Sequence, residues 1–431
     1  MFNKLNVIFL GWRFFLALIS LSSILNAKPD LAWVNLNVRP DFKKKIIFVK
    51  CLQKWKVDKS DTTLHFLFSS NLKVDTVFLN EKVVPWNHRD DSLFIKIKPT
   101  DKEQTITFIY HGSPVVANNP PWDGGVIWKK SAGGRHWLTV AIQDKGAMVW
   151  WPAPARFDDR PDSAVVSCIY PGELFFKGNG RLIFDRKLSS GMRRTTWRVS
   201  YPINTYNITL NIGDYRHFSD TLVRKDGSKL SLDYYPLRKN LSAAKRQFQQ
   251  VRPMLDCYED FFGRYPFQND GFSVVEVPYA GMEHQGAIAY GNKYQDGYLG
   301  EDYSGIRIDF DFILIHETGH EWWGNSVTGI NPIDSWHQEA FCTYAEYVYV
   351  KCRFGNRIAR EYINEKKRFV ENEYPILDGN NTGTDRYNKG ALMLFTLEQL
   401  IGPETMSELL FRLAEEKKIF LLFYRTDNSM V

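Results

Sequence analysis

The period of the hydrophobic pattern changes once along the chain. Between about Leu31 and Ser219, apolar and polar residues alternate in short runs separated by turn residues, as in Asn207 to Ile212. A period of two is typical of strands with one buried face. After about Leu230 the apolar residues recur three and four positions apart, as in Leu241 to Phe262, which is the period of an amphipathic helix. The sequence therefore predicts an α+β chain of several domains, with a mostly antiparallel β domain at residues 28–219 and a mainly helical domain at residues 220–431.

Composition supports packed cores and argues against one class of partner. The 431 residues are 44% hydrophobic and 15% aromatic, which is enough apolar material for two or three domains. The formal net charge is only +6, and the basic residues are scattered along the chain. Because nucleic-acid binding needs a concentrated basic surface, we expect no nucleic-acid partner.

The first 27 residues have the layout of a signal peptide. Lys4 and Arg13 precede an apolar run from Phe14 to Leu25, which is followed by Asn26 and Ala27. About 12 mainly apolar residues are too few to span a bilayer, so we expect cleavage and no stable membrane span in the mature chain. The predicted destination is the periplasm or the exterior of the cell. The alternative is an uncleaved N-terminal anchor.

The cysteines do not form a zinc-binding pattern. There are five, Cys51, Cys168, Cys257, Cys342 and Cys352, with wide gaps and no C-x-x-C pair. We expect most of them to be buried free thiols. Ten residues of continuous helix would hold Cys342 and Cys352 about 15 Å apart, so these two could pair only across a bend.

A histidine pair in the helical half has the spacing of a metal site. His316 and His320 are four positions apart, so on a helix they project from one face, one turn apart, and can hold one ion. Glu317 lies one position further round. It is predicted to be the general base that takes a proton from a zinc-bound water. The alternative is a pair of ordinary helix histidines.

A downstream glutamate can complete the ligand set. A catalytic zinc ion usually has three protein ligands and one open position. Glu339 begins an amphipathic run that predicts a second helix packed against the first, and it is our candidate for the third ligand. Glu346 is seven residues further on and returns to the same face, so we expect it to hydrogen-bond a ligand. His, His and carboxylate favour one zinc ion per chain, although the motif alone does not exclude other divalent ions.

These residues resemble the M1 family of zinc aminopeptidases, gluzincins that include aminopeptidase N and leukotriene A4 hydrolase. The family pattern is H-E-x-x-H, eighteen residues and then Glu, and here residues 321–338 separate His320 from Glu339. The stretch from Trp322 to Thr328 is similar to the W-[FW]-G-N-x-V-T continuation. The resemblance implies a saddle-shaped N-terminal β domain and a thermolysin-like catalytic domain. The sequence departs from the family in one respect: we expect no counterpart of the long helical C-terminal domain, and a catalytic domain shortened at its C-terminus.

Two further elements extend the resemblance to substrate binding. Gly281, Met282, Glu283 and His284 are similar to the G-A-M-E-N box, which implies that Glu283 binds the free α-amine of a peptide. His284 stands where the usual box has Asn, and we expect it to hydrogen-bond a substrate carbonyl. Tyr387 opens a stretch similar to Y-x-K-G-A, which implies that its hydroxyl stabilises the oxyanion of the tetrahedral intermediate.

The combined prediction is a zinc-dependent aminopeptidase acting on peptides with a free N-terminus. Two alternatives stay open at this point: a non-catalytic peptide-binding remnant of such an enzyme, and an epoxide hydrolase of the leukotriene A4 hydrolase type. The sequence does not indicate the preferred N-terminal residue or the oligomeric state.

Overall fold

The structure is a computed structural model that describes residues 29–142, 145–377, 383–416 and 421–422. It has an N-terminal part built from β-sheets and a C-terminal part that is largely helical, which confirms the predicted α+β class. The predicted signal peptide at residues 1–27 lies outside the described residues. Among the described residues, the helices are all too short or too polar to cross a bilayer.

Sixteen strands form the three sheets of the N-terminal part. An eight-stranded sheet has the order β14-β15-β12-β1-β2-β8-β4-β5, and two four-stranded sheets have the orders β13-β16-β10-β9 and β11-β3-β7-β6. Neighbouring strands are antiparallel except β1 and β12, which run parallel. In chain order, β1 to β16 are Asp30–Asp41, Ile46–Lys56, Thr63–Leu67, Leu72–Leu79, Lys82–Val83, Asn87–Arg89, Ser92–Lys96, Gln104–Gly112, Gly125–Lys130, His136–Ala141, Ala153–Pro154, Ser163–Pro171, Phe175–Lys177, Arg181–Lys187, Met192–Val199 and Asn211–Gly213.

Alternation of buried and more exposed side chains along the strands produces the N-terminal core. In β2, Ile47, Val49 and Cys51 are buried, while the residues between them are half-buried or exposed. Two neighbouring tryptophans, Trp150 and Trp151, are fully buried in the same core. Full burial of a large apolar side chain stabilises a fold by about 1.5–3 kcal/mol. These buried side chains therefore give the β part a core of its own.

A five-stranded sheet begins the C-terminal part and positions the site. Its order is β17-β18-β19-β21-β20, so β20 lies at an edge. The predicted domain boundary between residues 219 and 220 falls inside β17. The strands β17 to β21 are Phe218–Val223, Lys229–Tyr235, Phe272–Glu276, Gly281–Met282 and Ile288–Tyr290, and a separate parallel pair is formed by β22, Thr328–Gly329, and β23, Leu421–Leu422.

Seven α-helices complete the described portion of the C-terminal part. The second helix shows why these segments are helical: Met254, Leu255 and Tyr258 recur on its buried face, and the helix ends at Gly263, whose φ of +84° suits glycine. The third and fourth helices pack on the second and carry the metal-ligand candidates. The helices α1 to α7 are Leu241–Gln247, Val251–Phe262, Phe312–Gly319, Ser335–Phe354, Asn356–Glu365, Asn388–Ile401 and Pro403–Glu416.

A disulfide ties two of these helices together. Cys257 on α2 is bonded to Cys352 on α4, across 95 residues of chain. The remaining three cysteines are buried free thiols, as expected for most of them. Cys342, the partner that the sequence suggested for Cys352, is one of these free thiols. The real partner was missed because the pairing depends on how α2 packs against α4.

Candidate active site

Helix α3 presents the histidine pair. Its N-terminus is capped by Asp311, whose side chain accepts a hydrogen bond from the backbone N–H of Leu314 at 3.1 Å. Asp311 also accepts from the hydroxyl of Tyr290 at 2.5 Å, which fixes the helix start to β21. His316 lies on α3 and His320 at its C-terminal cap, both buried, so their rings reach the site from a rigid element.

Helix α4 brings Glu339 to both imidazoles. Glu339 Oε2 lies 3.4 Å from His316 Nε2 and 3.4 Å from His320 Nε2. One donor atom from each of the three residues lies within 4.8 Å of the others. Ligands about 2.0–2.1 Å from a tetrahedral zinc ion are about 3.4 Å apart, so this donor set fits zinc in both chemistry and spacing.

The outer nitrogens of both histidines are also held. His316 Nδ1 lies 2.6 Å from Glu346 Oε1, which confirms the expected contact of Glu346 with a ligand. His320 Nδ1 is 3.0 Å from the carbonyl oxygen of Trp323. Because each Nδ1 has an acceptor, the Nε2 atoms are free to face the metal position. Burial lowers the pKa of His316, but hydrogen bonds to Glu339 and Glu346 outweigh it and bring that pKa to about 9, which indicates a site built to hold positive charge.

Glu317 faces the same space and is tightly confined. Burial raises the pKa of Glu317 to about 7, although a divalent cation beside it would lower that pKa again. A Cβ atom placed on Gly281 would lie 2.6 Å from Glu317 Oε1, so β20 passes the carboxylate at the distance that only glycine permits.

The amine-binding candidate lies just after β20. Oxygen or nitrogen atoms of Glu283, Glu317 and His320 fall within 4.8 Å of one another, which places Glu283 beside the metal position. The backbone carbonyl of Glu283 accepts a hydrogen bond from Asn325 Nδ2 at 2.8 Å. Asn325 also donates to the buried carboxylate of Glu321 at 3.2 Å. The sequence assigned no role to either residue: Asn325 lies in the Trp322 to Thr328 stretch of the family resemblance, and Glu321 directly follows His320.

His284 does not occupy the place expected for it. Its ring is fully buried, and Nε2 lies 3.2 Å from the carbonyl oxygen of Val140 in β10. The ring therefore contacts the N-terminal part and does not line the pocket that the other predicted residues form. The expectation that His284 hydrogen-bonds a substrate carbonyl is therefore wrong, because the ring is buried outside the pocket and its Nε2 faces the carbonyl oxygen of Val140.

Tyr387 also lines the site and lies beside His316. Its ring centroid is 6.0 Å from that of His316. Burial, together with the charge of Glu339, raises the pKa of Tyr387 well above its usual value, so the hydroxyl remains a proton-bearing donor at neutral pH.

All of the predicted site residues except His284 line one pocket of about 240 Å³, which we call the metal pocket. Sequence reasoning missed its apolar walls, which come from segments far apart in the chain. These additional lining residues include Trp122, Tyr298, Tyr303 and Phe312.

Comparison with known proteins classifies the segment of the chain that carries the metal pocket. Residues 246–418 match the profile described as "Peptidase family M1 domain". Residues 246–418 therefore correspond to a domain of peptidase family M1. Every predicted site residue lies within the matched segment, and the resemblance noted from the motifs is confirmed.

Relatives of the M1 domain agree in sequence and in fold. Aminopeptidase N of Escherichia coli is 24% identical over 429 residues, covering 93% of this chain but 46% of the relative. Leucyl aminopeptidase of Saccharolobus solfataricus is 25% identical over 222 residues, covering 47% of this chain and 27% of the relative. The chain thus spans about half the length, or less, of these curated relatives. A crystal structure of an M1 zinc metallopeptidase mutant from Deinococcus radiodurans, bound to a Tyr-Ser-Ala substrate, matches with a TM-score of 0.78 at 15% identity, covering 92% of this chain and 88% of that one.

Proposed function

We propose that the chain is a zinc-dependent aminopeptidase that hydrolyses the first peptide bond of peptides with a free N-terminus. The observation that carries the proposal is the metal pocket. His316, His320 and Glu339 have tetrahedral ligand spacing there, and the carboxylates of Glu283 and Glu317 face the same small space. The M1 classification supports a peptidase, and the names of the relatives support an aminopeptidase.

Each residue of the pocket has a distinct task in this proposal. Zinc bound by the three ligands would supply a Lewis acid that polarises the scissile carbonyl and acidifies water. Glu317 accepts the proton of the attacking water and delivers it to the departing amine, for which its carboxylate beside the metal position is suited. Tyr387 donates a hydrogen bond to the negative charge that develops on the carbonyl oxygen. Glu283 pairs with the substrate ammonium group.

The packing of the loop that follows Glu283 supports a fixed place for the amine-binding carboxylate. The next two residues, His284 and Gln285, are only 0% and 2% exposed. The backbone carbonyl of Gln285 accepts a hydrogen bond from Asn179 Nδ2 at 2.8 Å, so the loop is fastened to the N-terminal part. The packed loop therefore holds Glu283 in place, as a carboxylate that binds the first residue of a peptide requires.

We further propose that the enzyme is exported to the periplasm or out of the cell. The signal-peptide layout of residues 1–27 motivates this proposal. The Cys257–Cys352 disulfide is an independent argument, since structural disulfides persist in oxidising compartments and are rare in the cytosol.

The test is hydrolysis of a panel of aminoacyl-p-nitroanilides by the mature chain. We expect turnover that a chelator abolishes and that added zinc restores, and we expect N-acetylated substrates to be refused. The matched control is Glu317→Gln, which keeps the three ligands and should bind zinc without turnover. Zinc binding without turnover by the wild-type chain would contradict the proposal and favour a peptide-binding remnant. Equal cleavage of acetylated and free substrates would contradict the role of Glu283.

A further inference from the structure

A second cavity adjoins the metal pocket. It has a volume of about 630 Å³, within the range of about 300–1,000 Å³ that is usual for ligand sites. Four residues line both spaces: Pro121, Trp122, Ala280 and Tyr298. The two spaces are therefore neighbours that share part of their lining.

The direction of β20 connects the two spaces. β20 pairs with β21 on one side, with Gly281 opposite Tyr290, and within the described residues no strand pairs with its other side. An extended peptide can add to such a free edge through main-chain hydrogen bonds. If its amine is at Glu283 and it runs antiparallel to β20, its later residues pass Gly281 and then Ala280. That path leads out of the metal pocket and into the second cavity.

The walls of the second cavity are aromatic. They include Trp122, Trp137, Tyr279, Tyr290, Tyr294 and Tyr298. Aromatic side chains provide large apolar contact area and hold peptide side chains well.

The one buried carboxylate on the wall of the second cavity, Glu276, already accepts hydrogen bonds from the protein. The carboxylate of Glu276 accepts hydrogen bonds from Leu237 N at 2.7 Å, Asn240 Nδ2 at 2.6 Å and Tyr294 OH at 2.7 Å. The exposed cation on the wall is Lys293, which has no ion-pair partner among the described residues. The cavity therefore offers aromatic surface and one unpaired positive charge, and it offers no free negative charge from Glu276.

We propose that the second cavity binds the residues that follow the cleaved bond, so that the enzyme prefers peptides of three or more residues with apolar or aromatic side chains from the third position onward. A basic side chain in the second cavity is disfavoured, because Lys293 repels it and Glu276 is already hydrogen-bonded to protein groups. A carboxylate near the same place, from an acidic side chain or the peptide's own C-terminus, is favoured. This inference rests on the proposed aminopeptidase function and names its substrate class.

The test compares peptides that share their first two residues. For Leu-Gly, Leu-Gly-Phe-Phe, Leu-Gly-Gly-Gly and Leu-Gly-Lys-Lys, we measure kcat/KM from released leucine with the zinc-loaded full protein. We expect Leu-Gly-Phe-Phe to exceed Leu-Gly by about tenfold or more, and Leu-Gly-Lys-Lys to gain least. Equal kcat/KM for the three tetrapeptides would overturn the proposal.

Two variants locate the effect in the second cavity. Asn119 is exposed on its wall, and Asn119→Trp should fill the space. Lys293→Glu should reverse the order of Leu-Gly-Phe-Phe and Leu-Gly-Lys-Lys or bring the two together. The readout for each variant is the ratio of tetrapeptide to leucyl-anilide kcat/KM. The matched control is Lys98→Ala, an exposed lysine that lines neither space. A ratio unchanged in both variants would overturn the proposal.

A binding measurement separates failure of this inference from failure of the proposed function. Zinc-loaded Glu317→Gln protein is titrated with Leu-Gly and with Leu-Gly-Phe-Phe in a calorimeter. Tighter binding of the tetrapeptide by about tenfold supports the second cavity even if the wild-type chain turns over no anilide, which would refute the aminopeptidase alone. Equal affinities refute the second cavity even if anilide turnover is normal.

Discussion

His316 and Glu346 form the contact that links the metal pocket to the interior of the protein. His316 Nδ1 lies 2.6 Å from Glu346 Oε1, and the other oxygen of Glu346 accepts from the hydroxyl of Tyr362 at 2.5 Å. Lys366, which is 1% exposed, lies 3.4 Å from that same oxygen. The negative charge of Glu346 is therefore shared between a metal ligand and a buried ammonium group. Its removal should affect both metal binding and stability.

Glu346→Gln should lower zinc affinity by about 10–100-fold, since the amide is a weaker acceptor for His316 and no longer carries charge. The free energy of unfolding should fall by about 1–3 kcal/mol, because Lys366 loses its counter-charge in the interior. Competition with a fluorescent chelator measures the first effect and thermal unfolding the second. Glu361→Gln is the control, because Glu361 belongs to an exposed ion pair with Arg357 on α5. Unchanged zinc affinity in Glu346→Gln would contradict the argument.

The structure brings together, as their spacing predicts, the residues that are related by the geometry of a single helix. His316 and His320 lie one turn apart on α3, and Glu346 lies two turns after Glu339 on α4, so each pair shares a face by helical geometry alone. That α3 and α4 meet at Glu339 was predicted from the need of a zinc ion for a third ligand, and the eighteen-residue spacing of the family pattern made that prediction specific. The change of hydrophobic period likewise predicted the fold class, since it reports local structure directly.

The features that the sequence did not predict depend on contacts between distant segments. His284 faces Val140, 144 residues away, and Cys257 meets Cys352 across 95 residues. Neither partner can be inferred from spacing, because both depend on how one element packs against another. The wall contributed by Trp122 has the same origin, since a loop of the N-terminal part reaches across to the catalytic half.

Gly281→Ala should reduce catalysis and leave metal binding intact. The new methyl group would lie 2.6 Å from both Glu317 Oε1 and Ile313 Cγ2, so the Glu317 carboxylate has to move. A displacement of about 1 Å in a catalytic group can cost about 100-fold in rate, so kcat should fall by about 10–100-fold. Zinc content, measured by atomic emission, should stay at the wild-type value. Gly133→Ala is the control, because its nearest atom beyond its chain neighbours is 3.9 Å away. Wild-type kcat in Gly281→Ala would show that Glu317 is not confined as described.

His284→Ala should weaken substrate binding more than it slows the reaction. The His284 ring hydrogen-bonds the carbonyl of Val140 and so holds the loop on which Glu283 lies. Without the ring, the Glu283 carboxylate is less well fixed. Loss of one hydrogen bond of about 1 kcal/mol and of the ring's packing predicts a KM several-fold to about tenfold higher, with kcat little changed. His284→Gln, whose amide N–H can reach the same acceptor, should restore part of the loss. Steady-state kinetics on an alanyl anilide measures both constants. Equal falls in kcat for both variants, with KM unchanged, would contradict a positioning role.

Thiol counting checks the disulfide directly. All five cysteines lie in the described residues, and the structure pairs two of them. Alkylation of the exported protein in denaturant should label three cysteines without reductant and five with it. Cys352→Ser should lower the free energy of unfolding by about 2–4 kcal/mol, because the crosslink restricts the unfolded chain. Labelling of all five cysteines without reductant would contradict both the pairing and the argument for export that rests on it.

Stability of the N-terminal part should depend on pH through Asp159. This residue is 3% exposed; one carboxylate oxygen accepts from Leu31 N at 3.0 Å, and the other has no hydrogen-bond partner among the described residues. Burial raises the pKa of Asp159 from 3.8 to about 7. Between pH 4 and 7 the folded state therefore binds more protons than the unfolded state, and its stability falls as the pH rises through this window.

Asp159→Asn should remove this pH dependence, because the amide is neutral at every pH and keeps an acceptor for Leu31. At pH 8 the variant should exceed the wild type by about 1–3 kcal/mol in free energy of unfolding, whereas at pH 4 the two should differ little. Thermal midpoints at the two pH values measure the difference. Asp162→Asn is the control, since Asp162 is exposed and pairs with Lys56 at the surface. A variant that is less stable than the wild type at pH 8 would mean that the charged form of Asp159 is stabilised in the folded protein, which reverses the sign of the argument.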